Sequence, residues 1–234
     1  MTDRVVITGA SRGIGLAVAR RFLARGARVW NLARTASPDA AVTDVAVDLA
    51  NPVFAQHIPA TLVAPTPTGS RTVLIHNASR MVNDTVESVD PVELQAMFDV
   101  AVTAPSLLNR VLLPTMSPGS AILYLGSTLS EKAVPGSFTY VTVKHAVVGM
   151  MRATCQDLMG RGIHTACVCP GVTDTEMLRE HVGGDPALLA TLRDLTGAGR
   201  LIEPDEIARV LELAADNPVL NGAVLHANHG QRER

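Results

Sequence analysis

The stretch RVVITGASRGIG, residues 4–15, runs from a β-branched apolar segment straight into glycines at positions 9, 13 and 15. A short apolar run without alternation suits a strand buried on both faces, as in a parallel sheet. The glycines suit a tight strand-to-helix turn, where free N–H groups of a helix N-terminus can meet phosphates. Their spacing is GxxxGxG, not the commoner GxGxxG, so the place of the motif after the first strand carries more weight than its letters. A helical pattern over 13–25 follows, and Gly26 stands where a C-cap belongs.

The alternation continues outward. Apolar runs at 27–33, 45–49, 71–78, 120–127, 163–171 and 222–227 join 4–9 as seven expected strands. Helical spacing predicts helices over 51–62, 91–113, 138–159, 186–195 and 204–215, with Pro204 in a first helical turn. This order predicts an α/β chain: a doubly wound, Rossmann-type parallel sheet of seven strands with helices on both faces. Segments such as APTPTG (64–69) are too short for linkers, so residues 1–234 read as a single domain. Its cofactor half covers about 1–125 and its catalytic and substrate-binding half about 126–234.

Bulk properties exclude several classes. With 47% hydrophobic residues and a formal charge of -2, the chain can bury a core and carries no basic surplus, which argues against nucleic acid. No run of 18 apolar residues occurs, and Asp3 and Arg4 interrupt the N-terminus, so neither membrane span nor signal peptide is expected and a cytoplasmic location is. Cys155, Cys167 and Cys169 lack neighbouring metal-ligand partners, so reduced thiols and no metal site are expected.

Positive charge here comes almost wholly from Arg, yet one of the two lysines is Lys144, in SFTYVTVKHAVVG (137–149). It stands four residues after Tyr140, one of only two tyrosines, so the two share a helix face. A free phenol is a poor acid or base near neutral pH, and a nearby ammonium stabilises its phenolate. The end of the second strand supplies another signal. Ala33 and Arg34 stand where a carboxylate would accept from a free ribose 2′-hydroxyl, and Arg12 lies in the glycine turn. Two guanidiniums and no acid favour a 2′-phosphate, hence NADP(H) over NAD(H). Asp48 at the end of the third strand suits either the adenine amino group or a loop cap.

TGASRGIG (8–15), Asn77-Ala78, Ser127 thirteen residues before Tyr140, Lys144, and PGVTDT (170–175) together resemble the short-chain dehydrogenase/reductase family, with GRLIEPDEIA (199–208) extending the likeness. The resemblance implies an NADP(H)-dependent oxidoreductase acting on a small carbonyl or alcohol. Tyr140 would be its general acid/base, Ser127 would hold the carbonyl oxygen, and Lys144 would hold the nicotinamide ribose. It implies cofactor contacts from Gly9, Ser11, Arg12, Gly13, Ile14, Gly15, Arg34, Asp48, Leu49, Asn77, Ala78 and Ser79. Further contacts would come from Tyr140, Lys144, Pro170, Gly171, Val172 and Thr175, the last near the carboxamide. It implies a substrate floor of Ser79, Met81, Leu129, Val134, Pro135, Met177 and Leu178, and a lid over 176–203. A homo-oligomer, tetramer or dimer, is implied through the helices of 91–113 and 138–159. The sequence departs from the family pattern at FDVAV (98–102), where Ala101 replaces an Asn understood to hold a water in a proton wire. An alternative follows: an NADP-binding regulatory or partner protein with little turnover.

Overall fold

In the computed structural model, which describes residues 2–231, the N-terminal apolar run forms β1 (Arg4–Thr8), buried along its whole length. It lies between β2 (Arg28–Ala33) and β4 (Thr72–His76), paired in parallel with both. With β3 (Thr43–Ala46), β5 (Ala121–Leu125), β6 (His164–Pro170) and β7 (Val224–Ala227) the sheet has seven strands in the order β3-β2-β1-β4-β5-β6-β7. The chain builds outward from β1 to β3, then crosses back to β4 and builds the other way. Loops leaving the carboxyl ends of β1 and β4 therefore diverge and open a crevice there.

Successive residues on each strand point to opposite faces, and both faces are covered. Val5, Ile7, Val73, Ile75 and Leu123 face α1 (Gly13–Ala24) and α8 (Pro204–Asp216). Val6, Trp30, Leu74, Ile122 and Tyr124 face the opposite layer, which includes α4 (Ala104–Leu112) and α5 (Phe138–Asp157). Ion pairs of Arg21 with Asp205 and Glu212, and of Arg25 with Asp216, rim the α1–α8 contact. Apolar burial does most of the holding, since such surface pairs contribute about 0–1 kcal/mol each.

Four local expectations are corrected. The helix expected over 51–62 is a 3-10 segment, Pro52–His57, then a single turn α2 (Ala60–Val63). Pro59 forces the preceding Ile58 into extended backbone and so splits the run. The helix expected over 91–113 is α3 (Pro91–Phe98), a π-helical turn over Asp99–Thr103, and α4. Pro105 has no N–H to return to the Ala101 carbonyl, and the backbone widens just before it. That run, Pro91–Thr115, is long and apolar enough to cross a membrane by composition, but Met97, Ala104, Leu108 and Leu112 are spent on the core. Finally, β3 ends at Ala46 and β5 at Leu125, so Asp48 and Ser127 lie beyond their strands, not at their ends.

Two buried polar features tie the layers. Arg4 donates to the carbonyls of Leu62 and Ala64 and to the hydroxyls of Thr66, Thr72 and Thr115. On the α4–α5 side, His76 Nε2 lies 2.9 Å from Asn109 Oδ1, Asn109 Nδ2 donates to Tyr124 Oη at 2.8 Å, and Tyr124 Oη meets Thr154 Oγ1 at 2.9 Å. Tyr124 is thus a core residue bridging two helices. Burial pushes the His76 imidazole down to about 4, against the opposing effect of its Asn109 hydrogen bond.

A neutral buried imidazole makes stability pH-dependent. The unfolded chain takes up the His76 proton near 6.5, so the stabilisation present above that pH is lost as pH falls toward 4, by about 3 kcal/mol. His164, also pushed down by burial, adds in the same direction. Urea unfolding of His76→Gln between pH 7 and 4.5 should show a shallower pH slope than wild type; equal slopes would contradict this assignment.

Candidate active site

The crevice at the strand ends is a cavity of about 1200 Å³ that runs from the glycine turn to the helices after β6. Its floor at the β1 end depends on close backbone approach. Gly9 and Gly13 have φ of +75° and +55°, and a Cβ on Gly15 would lie 2.2 Å from the Gly9 carbonyl oxygen. Asn77 Nδ2 donates to the carbonyls of Thr8 and Gly9, both at 2.9 Å, and so braces the turn from β4. Arg12, the N-cap of α1, makes no side-chain cap bond, so the first-turn N–H groups are left for a ligand.

At the end of β2, Arg34 is exposed and lines the cavity. Asp48 and Leu49 line it too, and Asp48 Oδ1 accepts from Ala50 N at 3.0 Å, the loop-capping role. The glycine-turn Arg12 is half exposed and engaged with Glu180 on α6 (Glu176–His181).

Across the cavity stand Ser127, Tyr140 and Lys144. Ser127 caps the 3-10 turn Thr128–Ser130: its Oγ accepts from Leu129 N at 3.1 Å, and its N–H donates to Ser130 Oγ at 3.1 Å. The hydroxyl proton is left to donate into the cavity. Lys144 is 3% exposed; its Nζ donates to the Leu125 carbonyl at 2.9 Å and lies 5.5 Å from the centre of the Tyr140 ring. Beneath them Cys167 and Cys169 are free thiols with Sγ atoms 3.9 Å apart, and Cys169 Sγ lies 2.7 Å from where a Gly126 Cβ would be. The hydrogen bond with Cys169, and then burial, push the Cys167 thiol up, so it stays protonated.

A family model described as enoyl-(acyl carrier protein) reductase matches residues 9–232. Sulfoacetaldehyde reductase 2 of Chromohalobacter salexigens is 28% identical over 93% of this chain and 90% of its own. The 3-oxoacyl-[acyl-carrier-protein] reductase FabG of Vibrio cholerae is 29% identical over 96% and 95%. A solved structure of a blue fluorescent protein from a metagenomic library, in complex with NADPH, superposes with a TM-score of 0.85 at 26% identity, covering 97% of each chain. The chain belongs to the short-chain dehydrogenase/reductase family.

As an oxidoreductase of that family, the chain gathers its motifs around one cavity. Every residue expected at the site from the sequence lines it except Gly15, which packs under the Gly9 carbonyl. Asn77 reaches the lining but spends its amide on the turn. All seven expected substrate-floor residues line the far end. Sequence reasoning missed Leu188, Leu192 and Leu195, on and just after α7 (Pro186–Asp194), which also line it. Their i, i+4, i+7 spacing was a usable signal of an apolar face. His181 and Gln231 were missed as well, with no comparable signal.

Asp84 was also missed, and it sets the start of α5, the helix of Tyr140 and Lys144. Ser137, the N-cap of α5, supplies no side-chain cap. Instead the buried Asp84 carboxylate accepts from Thr139 N at 3.0 Å and from Thr139 Oγ1, while Phe138 N donates to the Asp84 carbonyl at 3.2 Å. A carboxylate at a helix N-terminus meets unpaired N–H groups and the positive end of the helix dipole. Asp84→Ala would leave the Thr139 donors buried and unpaired. It should cost about 2 kcal/mol of stability in denaturant titration, with Asp84→Asn losing clearly less; equal, negligible losses would show that α5 does not depend on this cap.

Proposed function

We propose that the protein is an NADP(H)-dependent carbonyl reductase, or the dehydrogenase of the corresponding alcohol, with Tyr140 as general acid/base. The observation that carries this reading is the Tyr140 ring beside a buried Lys144 ammonium on one wall of the cavity that the glycine turn floors. The fit to a dinucleotide rests on the turn's close backbone, the uncapped first turn of α1, and Ser79 Oγ, a buried lining atom without a hydrogen-bond partner among the described residues.

The bound nicotinamide supplies the hydride. In the reductive direction the Tyr140 hydroxyl donates its proton to the substrate oxygen. Ser127 donates a hydrogen bond to the same oxygen as charge develops there. Lys144, held by the Leu125 carbonyl, stabilises the phenolate left behind and retains donors for the ribose hydroxyls. In the oxidative direction the same phenolate takes the proton back.

The substrate end favours an apolar ketone or aldehyde. Met81, Val100, Leu129, Met177, Leu178 and Leu192 supply most of its walls. The cation there, Arg80, is paired with Glu93 at 2.6 Å, which disfavours a small anionic aldehyde. A carrier-protein ketoreductase role gains little support: MSPGS (116–120) has no basic residue, and Arg161 is turned to the Leu113 carbonyl. The rival reading, a cofactor-binding protein with little turnover, rests on Ala101, which is buried in the π-helical turn.

Tyr140→Phe should retain NADPH binding while lowering turnover of an apolar ketone panel by about 10²–10⁴-fold, the range for a lost general acid. If wild type and variant share one negligible rate across the panel, the rival reading takes over. NADPH should bind more tightly than NADH, and Arg34→Asp should cut NADPH affinity about ten- to a hundredfold, as expected for a lost charge-assisted contact. Equal wild-type affinities in fluorescence titration would remove the NADP(H) assignment.

A further inference from the structure

Two guanidiniums line the glycine-turn end of the cavity, and they are in different states. Arg34 makes no ion pair or hydrogen bond among the described residues. Arg12 is taken: its Nη1 and Nη2 meet the two carboxylate oxygens of Glu180, the second at 3.1 Å. Glu176, one turn earlier on α6, adds its charge, with an oxygen 3.7 Å from where a Gly13 Cβ would be. An acidic helix face thus sits over the turn where phosphates are expected.

A guanidinium fork matches a carboxylate and a phosphate in the same way, with two parallel N–H donors, and cannot serve both fully at once. We propose that Glu180 is a cofactor-discrimination residue: it occupies the Arg12 fork that a 2′-phosphate would otherwise use. This rests on the NADP(H) reading above and adds a second determinant, placed on the lid and not at the end of β2. NADPH must part the Arg12–Glu180 pair to gain the second guanidinium. NADH presents a hydroxyl there and leaves the pair intact. Glu180 therefore narrows the gap between the two cofactors. The coupling runs both ways, since a ligand that takes Arg12 releases a tether of α6. His181 and Leu178 of that helix line the cavity, so the phosphate of the cofactor loosens one of its walls.

The test is fluorescence titration of NADPH and NADH with wild type, Glu180→Gln, Arg12→Ala and the double variant. Glu180 and Arg12 are about half exposed, so the folded state tolerates both changes. Glu180→Gln should tighten NADPH about two- to fivefold, the range of an exposed ion pair, and leave NADH unchanged. In the Arg12→Ala background the Glu180→Gln gain should vanish, because the effect acts through the fork. Unchanged NADPH affinity, an equal shift for both cofactors, or the same gain without Arg12 would each overturn the proposal while leaving the cofactor reading standing. A wild type that binds neither dinucleotide would overturn the cofactor reading, and this inference with it.

Discussion

The contact on which the site depends is between two pieces of backbone. The Gly9 carbonyl and the α-carbon of Gly15 lie so close that no side chain fits between them. That approach lets α1 leave β1 at a sharp angle and lie back on the sheet beside α8. It also brings the uncapped first turn of α1 to the mouth of the crevice. Asn77 holds the arrangement from the neighbouring strand by bonding the Thr8 and Gly9 carbonyls. An amide suits this work because one NH₂ group can donate to two carbonyls, and a larger side chain would crowd the turn. The glycine turn and the end of β4 are therefore one mechanical unit.

The opposite wall is built on a different principle, buried charged side chains that make no salt bridge among the described residues. Lys144 is held by a carbonyl and faces a ring. Asp84 is held by the donors of a helix N-terminus. Either charge paired with an opposite ion would be neutralised; held by dipoles, each keeps its field while its desolvation is partly offset. Asp84 anchors the start of α5, and Lys144 lies 5.5 Å from the centre of the Tyr140 ring farther along the same helix.

Much of this was legible in the sequence because it depends on period and on residues that fill narrow roles. Seven apolar runs, glycines at 9, 13 and 15, and a lysine where this chain otherwise uses arginine led to a doubly wound parallel sheet of seven strands and to Tyr140 and Lys144 as neighbours on one helix face. Contacts between segments distant in sequence were not legible. Nothing in the letters links Asp84 to Thr139, 55 residues away. Nothing links Arg12 to Glu180, so the reading of Arg12 as a phosphate ligand could not include its ion-pair partner. Local periodicity failed where proline intervened: Pro59 and Pro105 each carry an apolar pattern that looks helical but lack the donor that an α-helix needs there.

The position of β1 at the centre of the sheet also governs the order in which the molecule can assemble. Strands β3, β2, β1 and β4 are contiguous and come from residues 4–76 alone, while β5, β6 and β7 add one after another on the β4 edge. A chain emerging from the ribosome N-terminus first can close the first four strands before the second half exists. That half-sheet would then wait, with the faces of Val6 and Leu74 open, until α4 and α5 arrive to cover them. During synthesis the glycine turn precedes α5, and the exposed sheet face between those two events is an interval of aggregation risk.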